Sequence, residues 1–215
     1  MSRLRTFIAL PLPKAIRDRL IDLQDRLAAT GADVKWVEPE NLHVTMLFLG
    51  EVDERDVTDV CRAAKDVCQA HEAFAVSVET VGCFPNIRRP RVVWVGIGEG
   101  SEEVRALHDA LETPLLDLGV YRREERLFTP HITLGRVKGE RAGSVLMLQP
   151  RNKREKEMER VKGDRAGSIL LPALEKVSNW RAGETRASEI HVLSSELTSR
   201  GPVYAVLSRA PLSGG

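Results

Sequence analysis

His43 and Thr45 stand two residues apart in "NLHVTMLFLG" (41–50), and His131 and Thr133 stand two apart in "TPHITLGRV" (129–137). In a strand alternate side chains share a face, so each pair presents an imidazole beside a hydroxyl while Val44 and Ile132 look away. Strict alternation also puts Leu47 with His43 and Thr45, and sends Met46 and Phe48 to the opposite face. One such pair is an ordinary way to satisfy a histidine at the rim of a core. Two of them, 88 residues apart, can form a four-point cradle for a tetrahedral oxyanion. Each Thr can donate a hydrogen bond, and each imidazole, with an unperturbed pKa of about 6.5, can hold or release a proton near neutrality. One ring deprotonates an incoming nucleophile and the other protonates a departing alkoxide, a division of labour suited to phosphate esters. A zinc site needs three or four ligands, and neither motif brings a carboxylate. No metal and no cofactor are therefore expected. His71 and His108, in expected helices on or near polar faces, and His191, at the head of a strand, read as structural.

The 88-residue offset extends upstream of the motifs. Leu23 falls on Leu111, Leu27 on Leu115 and Gly31 on Gly119, and the apolar run Phe7 to Leu10 falls on Val92 to Ile97. Each half reads as a strand, a helix ended by Gly, then the His-x-Thr strand, which predicts two related lobes. Helices are expected over 14–30, 54–70 and 101–118. Strands are expected over 3–10, "VKWV", "AFAVSVETV", "RVVWVGI" and a closing pair, "ASEIHVLSSEL" and "PVYAVLSRA". Strands and helices mix without a strict βαβ rhythm, so the class is α+β: antiparallel sheets lining a cleft, helices outside.

At 215 residues and a net charge of +1, the chain is expected to form one bilobal domain and to act as a monomer. "NIRRPR" (86–91) is basic without acidic neighbours and is the candidate anion-contacting loop. Cys61, Cys68 and Cys83 are too few for a disulfide framework, and "FIALPLP" is too short for a membrane span or signal peptide, so a cytoplasmic location is expected. "RVKGERAGSVLM" (136–147) returns after 24 residues as "RVKGDRAGSILL" (160–171). A local duplication explains this, with residues 139–162 surplus to the core fold.

The paired "HVTM" and "HITL", with "RTFIALPLP", "VKWVEPENLHVTMLFLGEV", "GCFPNIRRPRVVWVGI" and "SSELTSRGPVYAVL", resemble the 2H phosphoesterase superfamily. Within it the chain is similar to the bacterial and archaeal RNA 2',3'-cyclic phosphodiesterases, also called 2'-5' RNA ligases. The resemblance spans nearly the whole chain outside the duplicated segment. It implies hydrolysis of a terminal 2',3'-cyclic phosphate to a 2'-phosphate, with RNA ends or nucleotides as partners and no membrane. It also implies that His43 is the acid on the leaving oxygen, that His131 is the base on water, and that Thr45 and Thr133 hold the non-bridging oxygens. The residues alone leave the two histidines interchangeable. The family's arginine, five residues after the second histidine, is matched by Arg136, which reaches the site only if Gly135 permits a bulge or the strand ends there. Phe7 resembles the family's aromatic near the nucleotide and equally suits a core position; Trp36 and Arg89 are weaker candidates. Two other classes fit the same motifs: a 2H enzyme for another cyclic phosphate or a 2'-5' oligonucleotide, and a non-catalytic nucleotide- or RNA-binding module.

Overall fold

A computed structural model describes residues 2–87, 89–123, 127–138, 167–199 and 201–214. The chain runs β1 (Arg3–Pro11), α1 (Lys14–Ala28), β2 (Val34–Trp36), a 3₁₀ turn (Pro39–Asn41), β3 (His43–Asp53), α2 (Val57–Gln69), β4 (Phe74–Phe84), β5 (Val92–Ile97), α3 (Ser101–Asp117) and β6 (His131–Val137). A helix over 167–176 (α4) follows, then β7 (Arg181–Ala187), β8 (Glu189–Thr198) and β9 (Gly201–Pro211). The class is α+β, as expected. The antiparallel strands form one curled sheet ordered β7-β4-β5-β6-β3-β1-β8-β9, with β2 on β6.

The sheet divides into two like halves that meet where β3 pairs with β6 at Val44↔Ile132. Each half places a His-x-Thr strand innermost and pairs it with the preceding long strand, β1 or β5. The helices repeat as well. Leu23, Leu27, Leu111 and Leu115 are all within 1% of full burial, and Gly31 and Gly119 follow α1 and α3 at φ 75° and 69°. A residue with a Cβ is strained in that left-handed conformation, which is why glycine ends both helices. Cys68 is buried on α2 and Cys61 packs partly against the core.

Gln24 is a polar group inside this core. Its Nε2 donates to the carbonyls of Val37 and Leu134, each at 2.9 Å, so α1 grips β6 beside the motif strand. The sequence reading missed β7. Its segment "RAGETRA" is mostly polar because it is an edge strand, hydrogen-bonded to β4 alone.

The surplus segment expected at 139–162 lies outside the described residues. The described residues on either side bear on it. Arg136 belongs to β6, continuous with the first copy, and α4 comes from the second copy, with Leu170 and Leu174 buried. Joining Lys138 directly to Gly163 is therefore expected to leave a folded, active protein, because long surface insertions change loop-closure entropy little. Circular dichroism and turnover of the shortened chain check this; loss of either makes the segment integral.

Candidate active site

Val44 and Ile132 are both fully buried, so their neighbours in β3 and β6 face the open side of the sheet. Carrying the antiparallel register one residue each way from Val44↔Ile132 sets His43 opposite Thr133 and Thr45 opposite His131. Opposed residues in such a pair have Cα atoms about 4.5–5.5 Å apart. Two imidazoles thus occupy one diagonal of a small square and two hydroxyls the other.

Both rings are anchored alike. Nδ1 of His43 donates to the Asn41 carbonyl and Nδ1 of His131 to the Thr129 carbonyl, each at 2.7 Å. A carbonyl can only accept, so Nδ1 carries the proton and the neutral ring leaves Nε2 bare. The Thr45 hydroxyl, 2.9 Å from His43 Nε2, donates to it. Asn41 is tied in turn by its Nδ2, which donates to the Pro202 carbonyl at 3.1 Å. Nε2 is the atom each histidine can offer to a substrate.

Both motif strands carry the same bulge. In β6, Thr133 pairs with Trp94 and Gly135 with Val93, leaving Leu134 extra. In β3, Thr45 pairs with Ala9 and Leu47 with Ile8, leaving Met46 extra. An extra residue shifts every later side chain by one place. Leu134 and Gly135 are accordingly both buried and Arg136 is exposed; Met46 and Leu47 are buried and Phe48 is exposed. Arg136 therefore comes to the side of His131. Glycine is required at 135 because β2 lies so close that a Cβ would sit 2.6 Å from Val34 and 2.8 Å from Trp36.

The bulge also corrects the alternation read from sequence. Leu47 joins the core, and Phe48 shares the open face with His43, under the Arg5 guanidinium at 4.8 Å. Phe7, the register partner of Phe48, is buried yet touches the site, its ring 5.2 Å from His43 and 4.8 Å from Tyr204. Phe84 and Trp94 stand 5.0 and 6.4 Å from His131. Trp36 packs partly buried against the core, and Arg89 is exposed between β4 and β5 with its N–H bonded to Asn86. Of the histidines read as structural, His108 is buried rather than on a polar face, stacked 4.0 Å from Phe128. His71 Nδ1 donates to the Val67 carbonyl at 2.8 Å, and His191 Nε2 is 2.8 Å from the Glu189 carboxylate. Among the described residues no group of three or more His, Cys, Asp or Glu is placed to hold a metal ion.

Comparison with known proteins decides the family. Residues 10–94 match the model described as LigT like Phosphoesterase. An RNA 2',3'-cyclic phosphodiesterase of Methanothermobacter thermautotrophicus is 36% identical over 202 residues, covering 94% of this chain and 95% of that protein. The chain belongs to the LigT-like 2H phosphoesterase family. In fold it is similar to the crystal structure of a Thermus thermophilus protein, TT0787, with a TM-score of 0.73, 26% identity and coverage of 98% and 99% of the two chains. The Escherichia coli LigT crystallised with 3'-AMP has the same fold, with a TM-score of 0.66, 22% identity and 99% coverage of each chain.

In this 2H phosphoesterase both imidazoles are tuned toward neutrality. Burial pushes the His43 pKa down to about 4, against the pull of the Asn41 carbonyl and with help from the nearby His131. Burial also lowers His131, opposed by the Thr129 carbonyl and aided by the Arg136 charge. Burial raises the Tyr204 pKa, and the charges of Arg136 and Arg5 oppose that rise. Sequence reasoning missed Tyr204, Phe84, Trp94, Phe48 and Arg5. Pairing "RVVWVGI" with the second motif strand was the available signal for Trp94.

The depressed His43 pKa makes stability depend on pH. Unfolded, His43 takes up its proton near 6.5; folded, it resists until about 4. Between those values protons favour the unfolded chain, so this contribution is complete above pH 6.5 and is lost as pH falls to 4. The difference corresponds to about 3 kcal/mol. His43→Ala is expected to lose less denaturation midpoint than the wild type between pH 7 and 4; equal losses would show that His43 does not carry the effect.

Proposed function

We propose that this phosphoesterase hydrolyses the 2',3'-cyclic phosphate at an RNA end to a 2'-phosphate by two-histidine acid/base catalysis. The observation that carries the reading is the diagonal square of two Nδ1-anchored imidazoles and two threonines on one face of β3 and β6. The names of the related proteins support the substrate class.

Water enters on the His131 side. His131 Nε2 accepts its proton as the oxygen bonds to phosphorus, the P–O3' bond breaks, and protonated His43 gives its Nε2 proton to O3'. The product keeps the phosphate on O2' and gains a free 3'-hydroxyl; His131 ends protonated and His43 neutral, and solvent resets both. Thr45, Thr133 and Arg136 hold the non-bridging oxygens, where charge builds. The bound phosphate anion favours an imidazolium next to it, so substrate restores the proton that burial removes from the free site. With a 5'-hydroxyl in place of water the same step, with His131 taking the hydroxyl proton and His43 protonating O3' as the P–O3' bond breaks, joins two RNA ends through a 2'-5' bond.

A binding module would need the cradle but not two titrating rings, each with Nδ1 committed to a backbone carbonyl and Nε2 left unprotonated, so hydrolysis is the favoured reading. The test is a substrate panel: RNA ending in a 2',3'-cyclic phosphate, a cyclic phosphate of ADP-ribose, and a 2'-5' oligonucleotide, each with and without EDTA. The RNA end is expected to turn over fastest and to be insensitive to EDTA. Faster turnover of another substrate reassigns the activity, and loss on chelation restored by zinc or manganese refutes the metal-free mechanism.

A further inference from the structure

The carbonyl that anchors His131 is itself held in place from outside the motif. Thr129 is exposed, and Leu127 is 97% exposed, so the approach to β6 has little of its own to fix it. Among the described residues between Arg123 and Pro130, only Phe128 turns inward. Its ring lies flat on the buried imidazole of His108 from α3, with centroids 4.0 Å apart and planes 4° apart. That imidazole is oriented in turn, because Nδ1 of His108 donates to the Asp109 carboxylate at 2.9 Å. Asp109, His108, Phe128 and Thr129 form a continuous path from the outside of α3 to the His131 ring, whose Nδ1 donates to the Thr129 carbonyl at 2.7 Å.

The first half secures its histidine by a different device. There the anchoring carbonyl belongs to Asn41, a buried residue whose own side chain donates to the Pro202 carbonyl. The 88-residue offset puts Leu20 at the place of His108 and the exposed Glu40 at the place of Phe128. Leu20 is fully buried, so filling the space under this helix does not call for an imidazole. A flat ring does what leucine cannot: it gives the Phe128 ring a face to lie against and so fixes its plane. We propose that His108 and Phe128 are positioning residues for His131: their stack holds the Thr129 carbonyl, and that carbonyl decides which ring nitrogen of His131 stays bare for the attacking water. Neither residue touches the substrate. A neutral imidazole keeps its proton on the nitrogen that has an acceptor, so a displaced carbonyl lets the proton move to Nε2, and the base is lost there. The inference rests on the phosphodiesterase reading for the role of the water, and on the geometry of the anchor for the tautomer.

The test is His108→Leu, which copies the residue at the equivalent place in the first half, beside His108→Phe, which restores a flat ring. Nitrogen NMR of the imidazoles at neutral pH reads the tautomers of His131 and His43 separately, with His131→Ala and His43→Ala for assignment. In the wild type both rings are expected to be protonated at Nδ1. In His108→Leu, His131 is expected to become a mixture of tautomers while His43 stays unchanged. On a 2',3'-cyclic phosphate kcat is expected to fall about tenfold with KM within about twofold, the scale on which a misplaced catalytic group costs rate; His108→Phe is expected to recover most of the loss. Asp109→Ala, at an exposed position, is expected to shift the same tautomer ratio by a smaller amount and carries the test if His108→Leu does not fold. An unchanged His131 tautomer in the folded variants, equal changes in His43 and His131, or a His108→Phe no closer to the wild type than His108→Leu overturns the proposal. The NMR readout needs no substrate, so a wild type that fails to hydrolyse the cyclic phosphate removes the phosphodiesterase reading, while the tautomer still decides the positioning role.

Discussion

Alanine in place of His43 or of His131 is expected to lower turnover of a 2',3'-cyclic phosphate by at least about 10²-fold, the lower bound for a lost general acid or base. Each ring offers one working atom, Nε2, because Nδ1 is committed to a backbone carbonyl. The threonine hydroxyls at the square cannot replace it, since they donate but do not titrate near neutrality. Thr45→Ala and Thr133→Ala should each cost less, because each removes one hydrogen bond. The check is single-turnover kinetics of the purified variants beside thermal denaturation. A histidine variant that folds and turns over near the wild-type rate contradicts the acid/base assignment.

Arg136→Ala is expected to be the next most damaging change, about 10²-fold in kcat/KM, the usual effect of removing a donor aimed at developing charge. Its position depends on Leu134 being the extra residue in β6, which brings the guanidinium around to the His131 side. Gly135→Ala should therefore reproduce part of the loss, because the new methyl must displace Val34 or Trp36 and so disturb the bulge. Arg136→Lys should recover only part, as an ammonium lacks the planar fork that matches two phosphate oxygens. Steady-state kinetics decide this; wild-type kcat/KM in Arg136→Ala would place the arginine outside the site.

What the sequence made legible was whatever depends on local period. The helices α1 and α3 announce themselves through Leu23, Leu27, Leu111 and Leu115 and through Gly31 and Gly119, and the motif strands through their paired histidines. The bulges were half legible. Gly135 signals one, whereas Met46 sits in an unbroken apolar run, so strict alternation misplaced Leu47 and Phe48. Long-range pairing hid the rest. Tyr204 reaches His43 only because β9 folds back along β8, and Trp94 reaches His131 only because β5 pairs with β6 across a bulge. β7 escaped notice because an edge strand needs no buried face to repeat every second residue.

Phosphorus NMR of the reaction tests the central claim most directly. An RNA oligonucleotide ending in a 2',3'-cyclic phosphate is incubated with the protein in EDTA and the product resonance is assigned. The two-histidine account, with His43 protonating O3', predicts a 2'-phosphate as the product, formed by the wild type and absent on the same time scale with His43→Ala or His131→Ala. A 3'-phosphate, or a cyclic phosphate left intact by the folded wild type, would contradict it.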